Sequence, residues 1–187
     1  MNKAALICLI SIVCGPVYSQ VCLTESMTKS YSALDFVAQS DGSIIDARTS
    51  LLWQRCPVGM QYENSDCVGY PKVFNTWEEA LMYANEYSIS VGLTYRLPNI
   101  MELDSIVERS CYSPSIDTEI FPSTPSGWFW TNTYDEQVNP SASNPIRSSG
   151  TYGVASGARM INFTDGLEFD DGTNKFRYLR LVRDLEK

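Results

Sequence analysis

Ser26-Met27-Thr28-Lys29 has the Ser-x-x-Lys spacing of serine acyl-enzymes, in which a lysine one helical turn away assists the hydroxyl. Here it sits in a polar stretch without the companion Lys-Thr-Gly or Ser-Asp-Asn elements, so coincidence is the expectation. Asp165, Asp170 and Asp171, with Asn174 beside them, offer oxygens to a hard cation such as calcium. Their spacing is not that of an EF-hand loop, and Asp-Gly pairs are ordinary turn chemistry, which is the favoured reading. No metal or other cofactor is therefore expected, and calcium is the one alternative. Asp117, Glu119, Asp135 and Glu136 are the acids that a carboxylate-only glycosidase would draw on, with no motif behind them.

The remaining candidates are recognition residues. In Trp128-Phe129-Trp130, strand alternation sets the two tryptophans on one face and Phe129 on the other. Trp130 is expected in the core. Trp128, next to Gly127, is the candidate surface for stacking a sugar or an apolar group. Tyr134, Arg147, Tyr152 and Arg159 lie in or beside a Ser-, Gly-, Pro- and Asn-rich loop over 134–157, and Tyr and Arg are the amphipathic anchors that recognition loops use. Arg177, Arg180 and Arg183 alternate with apolar residues, and in an acidic chain they are expected to pair with nearby Asp and Glu.

Composition removes much else. The 187 residues contain no histidine, which excludes Ser-His and Cys-His nucleophile pairs, His-liganded zinc and imidazole acid–base chemistry. A formal net charge of -8 argues against nucleic acid as a partner. With 44% hydrophobic residues the chain can bury the core of one domain.

Met1-Asn2-Lys3, the apolar run from Ala4 to Val13 and the small residues before Gln20 have the layout of a secretory signal over 1–19. The run is shorter than the ~20 residues of a spanning helix, so no membrane span is expected. Losing it removes Lys3 and no acid, leaving 13 basic and 22 acidic residues and a net of -9. The protein is expected to be exported to the periplasm, cell surface or medium. Cys22, Cys56, Cys67 and Cys111 then remain, and an even number in an oxidising compartment reads as two disulfides. Of the three pairings, Cys56–Cys67 is preferred because Pro57, Gly59 and Asn64-Ser65-Asp66 make a compact loop between them; Cys22–Cys111 follows.

The elements that position these residues are legible in outline. Residues 20–35 are polar and aperiodic, an N-terminal extension before a domain over 36–187. Asp41-Gly42 marks a hairpin before Ile44-Ile45, and the polar turn 46–49 precedes a strand Leu51-Leu52-Trp53. Thr76 with Glu79 opens a helix with Trp77, Ala80, Leu81, Ala84 and Tyr87 on one face, ending between Ser88 and Gly92. Asn99 with Glu102 opens a second helix, closing at Cys111. Short strands follow at 129–131, 160–163 and 176–182.

Asp46-Ala47-Arg48-Thr49-Ser50-Leu51-Leu52-Trp53-Gln54-Arg55-Cys56-Pro57-Val58-Gly59 resembles the opening signature of the DUF1566 family, also called the Lcl C-terminal domain after a Legionella collagen-like adhesin. Trp77-Glu78-Glu79-Ala80-Leu81, Tyr95-Arg96-Leu97-Pro98-Asn99, Trp130-Thr131-Asn132-Thr133, Asn162-Phe163-Thr164-Asp165-Gly166 and Leu179-Arg180-Leu181-Val182-Arg183 resemble it in the same order, over roughly residues 36 to 184. Ser50 stands where that family commonly has Gly, and Tyr95 where it has Trp.

The resemblance implies an α+β, C-type-lectin-like fold related to the formylglycine-generating enzymes, with two helices flanking small twisted antiparallel sheets and long loops. The copper-dependent cysteine oxidation of those relatives does not carry over, because every mature cysteine is claimed by a disulfide. The expected function is a non-enzymatic adhesion or binding module acting through the 134–157 loop. The adhesin's sulfated polysaccharides suit a basic surface, so a neutral glycan or a protein receptor is the expected partner of this acidic chain. The alternatives are a structural envelope or pilus-associated subunit, including a homo-oligomer, and a carboxylate-only hydrolase.

Overall fold

The computed structural model describes residues 20–135 and 157–185. The signal reading of 1–19, and Arg147 and Tyr152, lie outside them. Strand β1 (Val21–Cys22) pairs antiparallel with β7 (Cys111–Tyr112), setting Cys22 opposite Cys111, and the two are joined by a disulfide. The second disulfide is Cys56–Cys67, so both preferred pairings form. The extension over 20–35 is packed down. Tyr31 is buried and its hydroxyl donates to the Ile106 carbonyl at 3.0 Å, while the Ser30 amide donates to the buried Glu108 carboxylate at 3.1 Å.

Strands β2 (Phe36–Ala38), β3 (Ser43–Asp46) and β4 (Leu51–Gln54) form the meander that the turn residues require. Strand β11 (Val182–Asp184) returns from the C-terminal end to pair with β4, giving the order β11-β4-β3-β2. Ser50 takes a left-handed φ of 57°, which explains why glycine suits that position in the resembling family. Strands β5 (Met60–Glu63) and β6 (Asp66–Gly69) are joined by Asn64-Ser65, both at positive φ, the signature of a type I′ hairpin turn.

Helix α1 (Trp77–Val91) begins where the Thr76 hydroxyl accepts the Glu79 amide, and Gly92 closes it at φ 67°. Glu79 reaches back to the Asn75 amide instead of that of Thr76, so only half of the expected capping box forms. Ala80 and Ala84 bury one face. Helix α2 (Ile100–Asp104) has the full reciprocal box of Asn99 and Glu102. The Glu102 carboxylate also takes both arms of Arg96, which reaches on to Asp184 in β11. This helix is only five residues long and does not run to Cys111. Two tertiary demands end it: Glu108 must turn inward to accept the Ser30 and Ser110 amides, and Cys111 must meet β1.

Strands β8 (Trp128–Asp135), β9 (Gly157–Asn162) and β10 (Leu167–Asp171) form the second large sheet, in the order β10-β9-β8. The alternation at 128–130 divides two cores. Phe129 packs edge-on with Phe163 in one, and Trp130 is buried with Met160 in the other. Residues 177–182 run between these cores. Their backbone bonds go to Phe74, Trp128, Val58, Gln54 and Arg96 in turn, which is why the strand expected at 176–182 is regular only from Val182.

Arg177 pairs with Asp171 at 3.4 Å, as expected. Arg180 does not follow that expectation. It is fully buried and meets no carboxylate; its guanidinium donates to the carbonyls of Gln54 and Arg55 and to the Thr124 hydroxyl, and lies 4.9 Å from the centre of the Phe121 ring. Burial pushes it down to about 9, so it is still charged at neutral pH. Arg183 makes no ion pair among the described residues and lies over Tyr95 instead. At Arg180 the expected acid is replaced by backbone carbonyls, which satisfy a buried guanidinium's donors without a second charge.

Arg180→Ala is expected to lower unfolding stability by about 3–5 kcal/mol in urea titrations, because buried acceptors lose their donor and a cavity remains. A loss below about 1 kcal/mol, the level of a surface change, would contradict this placement. The bridges span 89 and 11 residues. On the chain-entropy account, replacing Cys22 and Cys111 by Ser costs about 4–5 kcal/mol and the Cys56/Cys67 pair about 3. The reverse order in the same assay would count against it.

Candidate functional site: a tyrosine-lined cleft

The β5–β6 hairpin stands across from α1, and a cleft of about 530 Å³ opens between them. Such a volume lies within the roughly 300–1,000 Å³ of small-ligand sites. Tyr62 projects from β5, Tyr83 and Tyr87 lie one turn apart on α1, and Tyr95 follows the helix. Tyr83 and Tyr87 stack at 6.3 Å between centroids, and Tyr87 meets Tyr95 edge-on at 5.5 Å. Burial raises the hydroxyls of Tyr83 and Tyr95 above the usual tyrosine value, so both stay neutral donors and acceptors at physiological pH.

Polar groups close one end. The Asp41 Oδ1 accepts the Ser43 hydroxyl at 2.6 Å and the Ser43 amide at 3.0 Å. The hydroxyl bond is the main reason its carboxyl is held below the ordinary range, and Arg183 contributes. Gln54 adds an amide. Tyr62 is fixed by Arg55, which donates to its hydroxyl and lies 4.4 Å from its ring centre; Arg55 in turn donates to the carbonyls of Glu119 and Ile120. Gly42 takes φ 81°, and a Cβ there would stand 2.7 Å from that of Tyr62, so only glycine lets the first turn approach the hairpin.

The residues singled out from the sequence lie elsewhere. Tyr134, half exposed, stacks on Trp77 at 5.4 Å, and Arg159 pairs with Glu168; both stand at the end of the β8–β9 pair that adjoins residues 136–156 in the chain. Trp128 stands at the far end of β8, half-buried against Phe169 with Arg177 over its ring. The structure therefore brings Tyr134 and Arg159 to one end and leaves Trp128 at the other. Ser26 donates to the Leu23 carbonyl and Lys29 pairs with Asp117, so the Ser-x-x-Lys pair does not meet. Asp117 also accepts the Glu119 amide. Asp165 accepts the Leu167 amide in a turn, and Asp171 is paired with Lys175 and Arg177. Among the described residues no group of three or more His, Cys, Asp or Glu is placed to hold a metal ion.

Sequence reading missed the cleft. The available signal was Tyr83 with Tyr87 at i, i+4, flanking the apolar face of α1.

These features define an α+β domain of small antiparallel sheets and two helices, braced by two disulfides that suit an oxidising, extracytoplasmic environment. The chain belongs to the Lcl C-terminal domain family, which matches residues 42–183. No curated protein and no solved structure matches it. No helix among the described residues is long and apolar enough to cross a membrane.

Asp41 gives a pH prediction. Because its folded value lies below the unfolded 3.8, its contribution to stability is complete above 3.8 and is lost as pH falls through the lower folded value. In a carboxyl NMR titration, Ser43→Ala is expected to move Asp41 up toward 3.8. An unchanged midpoint would contradict the hydroxyl's role.

Proposed function

We propose that this chain is an exported, non-enzymatic binding domain of C-type-lectin-like fold that recognises a neutral glycan or a protein partner. The observation that carries the reading is the cleft between the hairpin and α1: four tyrosines and an ionised Asp41 face the same open space. Tyrosine supplies large contact area with little side-chain entropy to lose, and a few polar groups fix orientation. The lectin-like assignment draws on the closing strand β11 returning to the sheet opened by β2 and β3, with two helices beside the sheets. The 134–157 loop, with Arg147 and Tyr152, is a second contact surface in this proposal, and Tyr134 and Arg159 hold its base. Trp128 supports that sheet from its far end.

Of the acids considered for hydrolysis, Glu136 lies outside the described residues, and Asp117 is committed to other partners. Asp117 is held by Lys29 and the Glu119 amide. No cofactor is required for the proposed binding.

The test is a panel of neutral and sulfated glycans and envelope proteins, exposed to the oxidised protein with and without calcium. Saturable binding of a neutral glycan or a protein is expected, indifferent to calcium, with the ligand recovered intact. Glycan hydrolysis that disappears in Asp117→Asn or Glu119→Gln would contradict a binding-only function. Assembly into oligomers without capture of any panel member would favour the structural-subunit reading.

A further inference from the structure

We propose that the tyrosine-lined cleft is a saccharide site: it takes a neutral, hydroxyl-rich sugar of roughly one or two rings, packed on Tyr62 and Tyr87 and oriented by Asp41 and Gln54. This rests on the binding function proposed above and names both the place and the ligand class.

A pyranose ring has an apolar C–H face and a rim of hydroxyls, so its site needs aromatic surface and planar hydrogen-bonding groups together. The cleft has both. Tyr62 faces it from the hairpin, and Tyr83, Tyr87 and Tyr95 form a connected aromatic wall along and beyond α1. Asp41 is an acceptor locked by two bonds from Ser43, and Gln54 offers an amide that can donate and accept.

Charge narrows the class. An ionised Asp41 and a chain carrying -8 disfavour sulfated or uronic sugars. A quaternary ammonium group would suit an aromatic box. Here, though, Ser43 and Gln54 stand beside Asp41, and a methylated cation, which has no hydrogen-bonding group, would leave them unpaired. A proline-rich peptide would stack on the tyrosines but leave Asp41, Ser43 and Gln54 facing apolar rings, at the expense of their water contacts. A neutral polyol satisfies both surfaces.

The Cys56–Cys67 disulfide belongs to the same device. Cys56 lines the cleft and Cys67 pairs with Tyr62 across the hairpin, so the bridge holds the Tyr62 wall opposite α1.

The experiment is calorimetric titration of the oxidised protein with neutral disaccharides of glucose, galactose and N-acetylhexosamine, matched sulfated disaccharides, choline and a proline-rich peptide. At least one neutral disaccharide is expected to bind. Tyr87→Ala and Asp41→Asn should each weaken it about tenfold or more, whereas Leu34→Ala, at an exposed residue outside the cleft, should leave it within about threefold. Near-UV circular dichroism checks that each variant is folded, and the near-isosteric Asp41→Asn keeps the test decisive if Tyr87→Ala is not. Neutral sugar binding that survives both Tyr87→Ala and Asp41→Asn would overturn the cleft as the site while leaving the binding function standing. Choline, a sulfated sugar or the peptide binding in place of the neutral sugars would overturn the ligand class. Absence of sugar binding alongside capture of an envelope protein would overturn the saccharide assignment alone; failure of every probe and every panel member would overturn both.

Discussion

The structure depends on the burial of residues 177–182 between two cores. Leu179, Arg180, Leu181 and Val182 are all buried, and residues 177–182 exchange backbone bonds with five segments: the first sheet, the approach to the hairpin, the approach to α1 at Phe74, the start of β8 and the step before α2. A run that belonged to one ladder would brace one sheet. This one ties the two larger sheets to the segments that lead into the hairpin and both helices. Its cost is the placing of a guanidinium in the interior, offset by two carbonyls, a hydroxyl and an aromatic ring rather than by a carboxylate.

The cleft inherits its rigidity from that arrangement. The Leu179 carbonyl accepts the Val58 amide, and Arg180 holds the Arg55 carbonyl, so both ends of the approach to β5 are tied to the closing segment. Arg55 then fixes Tyr62 by its hydroxyl and its ring. On the other wall, α1 is docked by Ala80 and Ala84 and by the Trp77 indole donating to the Thr131 carbonyl at 2.7 Å. Two separately anchored walls thus face each other across a fixed gap, which reduces the ordering a ligand must impose on binding.

Features with local causes were legible in the sequence. Asp41-Gly42, the Asn99–Glu102 box and the Trp128-Phe129-Trp130 alternation each draw on neighbours within a few residues, and all appear as read. The cysteine pairing was legible because loop composition favoured one bridge and left the other by remainder. What escaped was set by distant partners. The second helix stops at Asp104 because Ser30 and Cys22 need Glu108 and Cys111 elsewhere. Arg180 looked like a cation awaiting an acid, since its true partners are backbone carbonyls and carry no side-chain signature. The cleft escaped for the same reason: Tyr62 and Tyr87 come from a hairpin and a helix whose apposition is purely tertiary.

Native-state amide hydrogen exchange tests the central claim most directly. The Arg177, Tyr178 and Val182 amides, which donate to Phe74, Trp128 and Arg96, should exchange only through global unfolding, with an opening free energy equal to that from denaturant titration. The β5–β6 hairpin should open locally and sooner. Exchange of any of those three amides through a partial opening, with β3, β4 and β8 still protected, would contradict a fold built around its closing segment.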